Sequence, residues 1–327
     1  MRRLLKNILL ILLLLAISGV AWVGYQFTHP PTLDAYAKLS FQEGSTKDAE
    51  VRATFFGVST LLFEDGKNSI LIDGFFTRPD KLSVLTRKIS PNLDVIGQSL
   101  KRANIQHIDA VIAAHSHYDH AMDSPEVARR TDAILYGSMS TANIGRGWGL
   151  PEQQIHVVHH GESVKVGAFD VVFLNAEHAP TGFTGGEIEG PLKPPVRANQ
   201  YKEGQCFSIL ISHKGKTILV QSSAGFVKSG LSGRHADVAF LGIGTLGKQT
   251  DQYREEYWHE TVKATGVKRV IPIHWDDFTR PSNAPFAPMP RPFDDFEKSM
   301  AFLLNQGEKE HVEVKFLYPW IEIDPFK

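Results

Sequence analysis

Residues 115–120 read His-Ser-His-Tyr-Asp-His, which places four side chains able to ligate a metal within six positions, directly after the largely apolar run 108–114. Imidazole and carboxylate are the ligands that zinc takes in hydrolytic sites. Side chains alternate across an extended strand, so His115 and His117 can converge on one ion. Asp119 and His120 fall where the chain has begun to turn away, a geometry that suits a second ion beside the first. The chemistry this supports is attack by a metal-bound hydroxide, because coordination brings the pKa of water down to about 7 without any Ser or Cys nucleophile. Asp119, next to His120, is the candidate catalytic group that orients or deprotonates the attacking water.

No other catalytic pattern competes. The sequence has no Gly-x-Ser-x-Gly elbow and no Walker-type phosphate loop, and the sole cysteine, Cys206, lacks the local signature of a thiol nucleophile. Gly242-Ile243-Gly244-Thr245-Leu246-Gly247 matches Gly-x-Gly-x-x-Gly after an apolar run. The segment after it lacks the strand with an acidic residue that a dinucleotide site needs, so it reads as a tight strand-to-helix connection near the metal site. His159, His160, His213, His235 and His259 show no convergent spacing and are read as solvated.

Positioning these residues requires buried strands, and the sequence offers them twice. Residues 61–73 form two apolar runs around Asp65-Gly66, and residues 209–221 repeat the pattern at the same length around Lys214-Gly215, which predicts two hairpins. A polar, helix-capable stretch at 81–103 and the strand 108–115 follow the first; a helix at 252–265 and the strand 267–274 follow the second. Two similar halves, each delivering a histidine at the end of a buried strand, predict a duplicated architecture with the metals in a crevice between two packed sheets. Pro272 cannot donate to a ladder, so this strand is expected to lose regular pairing just before His274.

The chain is 327 residues long and 42% hydrophobic, enough for one large domain or two modest ones. Its 35 basic and 36 acidic residues leave a net charge of -1, which excludes the electrostatic footprint of a nucleic-acid binder. One cysteine excludes an intramolecular disulfide. Arg2, Arg3 and Lys6 precede the uncharged run 8–27. Residues 1–28 are therefore read as a membrane anchor or signal segment, residues 29–50 as a linker and residues 51–327 as the catalytic domain. The run continues through Trp22 and Val23, which favours a retained single span with the domain outside the cytoplasm, whereas small residues around Gly19 and Ala21 leave signal cleavage open.

From about residue 51 onward the chain resembles the metallo-β-lactamase superfamily of metal-dependent hydrolases, whose His-x-His-x-Asp-His hallmark matches residues 115–120 without a gap. Within it, Ile70-Leu71-Ile72-Asp73 and Ile271-Pro272-Ile273-His274 resemble the branch holding the ascorbate-6-phosphate lactonase and the N-acylphosphatidylethanolamine-type phospholipase D. The resemblance implies an α/β fold, a four-layer αββα sandwich of two similar halves, here preceded by an N-terminal hydrophobic helix. It implies a first metal on His115, His117 and His178 and a second on Asp119, His120 and His274. It also implies an aspartate bridging both metals after the second hairpin, a place where this chain has Ser223. A neutral hydroxyl is a poorer ligand than a carboxylate and leaves positive charge uncompensated, so either the second metal is loose or an anionic substrate supplies the charge.

The cofactor expected is Zn2+, one or two ions, with Mn2+ or Fe as alternatives. Asp73 is read either as a carboxylate fixing a ligand tautomer or as a turn aspartate before Gly74. The Gly- and Pro-rich segment 179–204, with Lys193, Arg197 and Lys202, reads as a lid or substrate wall, and Trp275, Asp276 and Asp277 as further lining. The expected reaction is hydrolysis of an ester-type bond, phosphodiester or lactone favoured, in a small-molecule or lipid-derived anionic substrate. The alternatives are a non-catalytic binding protein and an iron-dependent oxidoreductase of the same fold.

Overall fold

The computed structural model describes residues 2–41, 46, 48–182 and 185–327; positions 42–45 and 47 of the expected linker and 183–184 of the expected lid lie outside the described residues. Helix α1 (Arg2–Thr28) is followed by β1 (Arg52–Gly57), β2 (Thr60–Glu64), β3 (Ser69–Ile72), α2 (Lys81–Thr86) and β4 (Lys88–Ile89). Next come α3 (Leu93–Arg102), β5 (Ala110–Ile112), α4 (Tyr118–Ala121), α5 (Ser124–Thr131), β6 (Ile134–Gly137), α6 (Met139–Trp148) and β7 (Ile155–Val157). A second series runs β8 (Ser163–Val166), β9 (Phe169–Ala176), β10 (Val196–Arg197), β11 (Cys206–His213), β12 (Lys216–Gln221) and β13 (Val238–Gly242). It continues with α7 (Asp251–Trp258), β14 (Arg269–Ile273), α8 (Phe296–Glu310), β15 (Glu313–Val314) and β16 (Glu322–Ile323).

Two seven-stranded sheets result, ordered β16-β1-β2-β3-β5-β6-β7 and β15-β14-β13-β12-β11-β9-β8. Both predicted hairpins form, with Leu61 opposite Ile72 in one and Ile209 opposite Val220 in the other. At the second turn Lys214 and Gly215 both take positive φ, 47° and 82°, the pairing that a twisted two-residue hairpin requires. Side-chain alternation then sorts the core. Leu61, Phe63, Ile70, Ile72 and Ile112 join residues of the second sheet, while Leu62, Leu71 and Val111 pack under Ile96, Leu100 and Val127 of the covering helices. The αββα layering follows.

The two sheets match strand for strand, each passing from antiparallel to parallel pairing after its hairpin. The match is offset from the one expected. β13 is the counterpart of β5, and β14, which leads to His274, is the counterpart of β6. The strand β13, buried along its whole length, carries no alternation by which a sequence pattern would count it.

The helix expected across 81–103 is two helices. Pro91 cannot donate and disfavours helix in the residue before it; Asn92 then restarts the chain as an N-cap, its side chain accepting from the amides of Asp94 and Val95 at 3.1 Å each. Pro272 does not disturb β14 as expected, since pairing with β13 continues through Ile273. Residues of a parallel strand alternate in the neighbour they bond, and Pro272 shares with Val270 the side facing β15, which has ended by then. Within 29–50, Leu33, Tyr36, Leu39 and Phe41 pack against the core.

Candidate metal centre

The structure gathers six side chains at the strand ends of both sheets. The chain leaves β5 extended through His115 and His117 and coils into α4, which turns Asp119 and His120 inward. β9 ends two residues before His178, and β14 ends at Ile273, immediately before His274. His274 adopts a φ of 56°, a left-handed conformation that bends its side chain back over the sheet edge. The ligand atoms of His115, His117 and His178 lie within 4.8 Å of one another, as do those of Asp119, His120 and His274. The His115 and His120 rings stand 3.8 Å apart between centroids, so the two groups adjoin.

The donor set fits divalent cations. The carboxylate of Asp73, fully buried, takes His120 Nδ1 at 2.8 Å and also holds Ser59 Oγ and, at 2.8 Å, the amide of Ala114. With Nδ1 committed, His120 presents Nε2, which faces His274 Nε2 at 3.2 Å; His178 likewise commits Nδ1 to the carbonyl of Ala179 at 2.8 Å. Ring nitrogens at that separation share either a proton or a metal cation, and partners on the far nitrogen are how proteins fix metal-binding tautomers. Asp73 answers to both of its readings: it sits in the turn before Gly74 with a φ of 60°, and its carboxylate is placed to fix the His120 tautomer.

The electrostatics agree. Burial, then the neighbouring imidazoles led by His120, push His115 well below the ordinary histidine range. Burial and His117 lower His178 to about 3, so both rings keep free lone pairs at neutral pH. Burial raises the Asp119 carboxyl, but His120, His274 and His117 outweigh it and hold it well below the usual carboxylate range. Burial opposes the His274 cation, while its hydrogen bond with Asp119 and the charges of Asp119 and Asp276 raise it above the ordinary value.

Ser223 lines the cavity wall beside the residue after His178, and its Oγ accepts from the amide of Ala179 at 3.0 Å. Two glycines make room for the ligands. A Cβ on Gly225 would enter the Glu177–His178 backbone, and one on Gly244 would stand 2.7 Å from His274 Nδ1. Gly242 and Gly247 are equally closed in, against Ser222 and Asp295, so the Gly-x-Gly-x-x-Gly run is a close-packing device around the metal centre.

A cavity of about 770 Å³ opens over the ligands. Of the described residues after His178, Ala179, Pro180, Thr181 and Arg197 line it, Arg197 lying in β10 paired to β4, and the intervening Leu192 and Ile188 are bonded to Asn143 and Ser140. Asp276 lines the cavity, but Trp275 and Asp277 do not: Trp275 is wholly buried against Phe55, Phe296 and Phe316, and Asp277 holds Lys81 Nζ at 2.6 Å. His213 is a further correction, since it is buried against Asp65 at 3.1 Å, linking the two hairpin turns at the end remote from the metals. Sequence reasoning missed Ser59, Lys248, Phe278 and Asp294; only their arrival in three dimensions distinguishes them from other loop residues.

Comparison with known proteins gives the same picture. The family model "Beta-lactamase superfamily domain" matches residues 68–275, more than half of the chain. A UPF0173 metal-dependent hydrolase of Staphylococcus aureus is 24% identical over 234 residues, 70% of this chain and 87% of that protein. The metallo hydrolase Igni18 of Ignicoccus hospitalis superposes with a TM-score of 0.54 at 20% identity, covering 84% of this chain and 97% of its own. YhfI of Bacillus subtilis, a metallo-beta-lactamase fold protein, does so at 0.51 and 14%, covering 83% and 98%. With a family match running from the first hairpin to the residue after His274, this chain belongs to the β-lactamase superfamily and carries its metallo-β-lactamase fold.

Proposed function

We propose that this protein is a metal-dependent hydrolase, with zinc as its metal, that cleaves a phosphodiester or lactone in an anionic substrate. The observation that carries the reading is the pair of adjoining three-ligand groups opening on one cavity. The names of the relatives support the hydrolase class and leave the substrate open. His115, His117 and His178 would hold one ion and Asp119, His120 and His274 the other. Bound there, a divalent ion supplies Lewis acidity and acidifies water.

The protein's own groups do the rest. Asp119 stays ionised at neutral pH and can accept a proton at a carboxylate oxygen that stands 3.4 Å from His274 Nε2. It is the one carboxylate in either ligand group, and Ser223 adds no charge. Arg197 and Lys248 line the same cavity and have no ion-pair partner among the described residues, so against Asp119, Asp276 and Asp294 in the same wall it is these two cations, with the bound ions, that would attract an anion. Apolar wall from Val84, Leu85, Phe278, Met289 and Phe293 suits a substrate with a hydrocarbon portion.

Purified full-length protein loaded with zinc, manganese or iron should hydrolyse a bis-aryl phosphodiester or a member of a lactone panel, and chelation should abolish turnover. Absence of hydrolysis across both panels with metal bound would sink the reading in favour of a binding protein. Helix α1, long and apolar enough to span a bilayer, is read as a retained anchor with Arg2, Arg3 and Lys6 on the cytoplasmic side. Protease protection in sealed, oriented membrane vesicles tests that orientation.

A further inference from the structure

The rim of the cavity carries apolar side chains that the described protein leaves largely exposed. Helix α2 buries no residue, and its Leu82 and Leu85 are 56% and 71% exposed; across the opening Phe293 is 46% exposed. Leu85 and Phe293 belong to the cavity wall itself. Arg87, Lys88, Arg197 and Lys248 are exposed around them, and none has an ion-pair partner among the described residues. Apolar tips ringed by cations are what an interfacial element offers to an anionic lipid surface.

The position of α1 selects this face. A tethered domain could turn any side to the membrane, but the Phe27 ring at the end of α1 packs edge-on to Phe293 with centroids 5.3 Å apart. Beside it Arg291 Nη1 donates to the carbonyl of His29 at 3.1 Å. The apolar helix therefore leaves the domain at the mouth of the cavity. The hairpin turns at Lys67 and Lys214 stand at the opposite end, beyond the far ends of the strands that deliver the ligands.

We propose that the cavity mouth, with Leu82, Leu85 and Phe293, rests in the anionic leaflet that α1 enters, so that the opening over the metal centre faces lipid headgroups. An anionic amphiphile then reaches the site without crossing water, its charged group toward Arg197 and Lys248 and its chain along the apolar wall. The docking rests on α1 being a membrane span, and the fate of the amphiphile rests on the hydrolytic reading.

Depth-dependent quenching separates these. Full-length protein carrying Leu82→Cys, Leu85→Cys, Phe293→Cys, Leu12→Cys or Lys67→Cys is labelled with an environment-sensitive fluorophore; Cys206 is buried and stays unlabelled. Each is reconstituted in nanodiscs of phosphatidylcholine and phosphatidylglycerol with brominated acyl chains. Labels at 12, 82, 85 and 293 should lose about half their emission or more, as expected for side chains sunk into the interface, and the label at 67 should not. Quenching at 12 with rim labels as bright as the one at 67 overturns the docking and spares the anchor. An unquenched label at 12 overturns both. Neither result touches hydrolysis of a water-soluble phosphodiester, which stands or falls on its own assay.

Discussion

Asp73 touches no ligand-binding space, yet it decides what His120 can do. Its carboxylate fixes the proton on Nδ1 and frees Nε2 for the Asp119 group. Asp73→Asn keeps the volume and loses the charge-assisted bond, so zinc affinity of that group should fall about 10- to 100-fold in a chelator competition. The His115 group should hold its metal unchanged, and equal weakening of both would show that Asp73 acts on the fold instead. Asp294, on the cavity wall, carries the opposite kind of charge problem. Burial pushes its carboxyl up to about 6, against hydrogen bonds from the amides of Thr245 and Asp295. In the unfolded chain this group titrates near its ordinary value of 3.8. Between the two the folded state binds the extra proton, so metal-free protein loses stability as pH rises from about 4 to about 6 and does not regain it above. Asp294→Asn removes that loss. Its melting temperature should match wild type at pH 4 and exceed it at pH 7, by the equivalent of roughly 2 kcal/mol. A difference that stays flat across this range would place the carboxyl at its ordinary value.

At the scale of elements, the ligands are held by how closely neighbouring strand ends approach. Gly225, in the loop after β12, gives the end of β9 its space, and Gly244, just beyond β13, gives His274 its space. Alanine at 225 must displace the Glu177–His178 backbone, and alanine at 244 must displace the His274 ring. Gly225→Ala should therefore lower occupancy of the His115 group and Gly244→Ala that of the Asp119 group. Elemental analysis of the purified variants reads this as about one metal equivalent lost in each, from different sites. Residues 115–120 were legible because metal chemistry constrains residue type and local spacing, and His274 because the repeated strand plan ends on it; His178 was named only through the family resemblance, and the fold brings all of them into the two groups that could hold a metal. Both hairpins were legible because alternation and turn residues are local signals. What escaped was set by space. The closeness of Gly244 to His274 joins residues 30 apart in the chain, Ser59 meets Asp73 and His120 through the fold, and His213 is buried only because the turn carrying Asp65 arrives opposite it.

For the molecule as a whole, the metal centre is the seam of the duplication. His115, His117, Asp119 and His120 follow a strand of the first sheet, while His178 and His274 follow strands of the second. Each three-ligand group therefore contains residues from both sheets. An ion bound in either one would add a crosslink between the two layers at an end where single backbone bonds already join them, Phe207 N donating to the carbonyl of Ala114 at 2.9 Å and His274 N to that of Val58. Binding only the folded state, a ligand at a thousand times its dissociation constant adds about 4 kcal/mol. For a domain of this size that corresponds to a rise in melting temperature on the order of 10 °C. Chelator-treated protein should melt lower than zinc-loaded protein by this order and recover on adding zinc. His178→Ala and His274→Ala should each retain only part of the zinc-induced rise, because each leaves one crosslink intact. The hydrophobic contacts between Phe63 and Phe240 and around Ile209 and Ile211 persist without metal, so the stripped protein should keep its far-ultraviolet circular dichroism at 25 °C. Identical melting with and without zinc, in protein shown to contain the metal, would mean that the ions sit on one sheet alone and that the six side chains do not form the seam their positions describe.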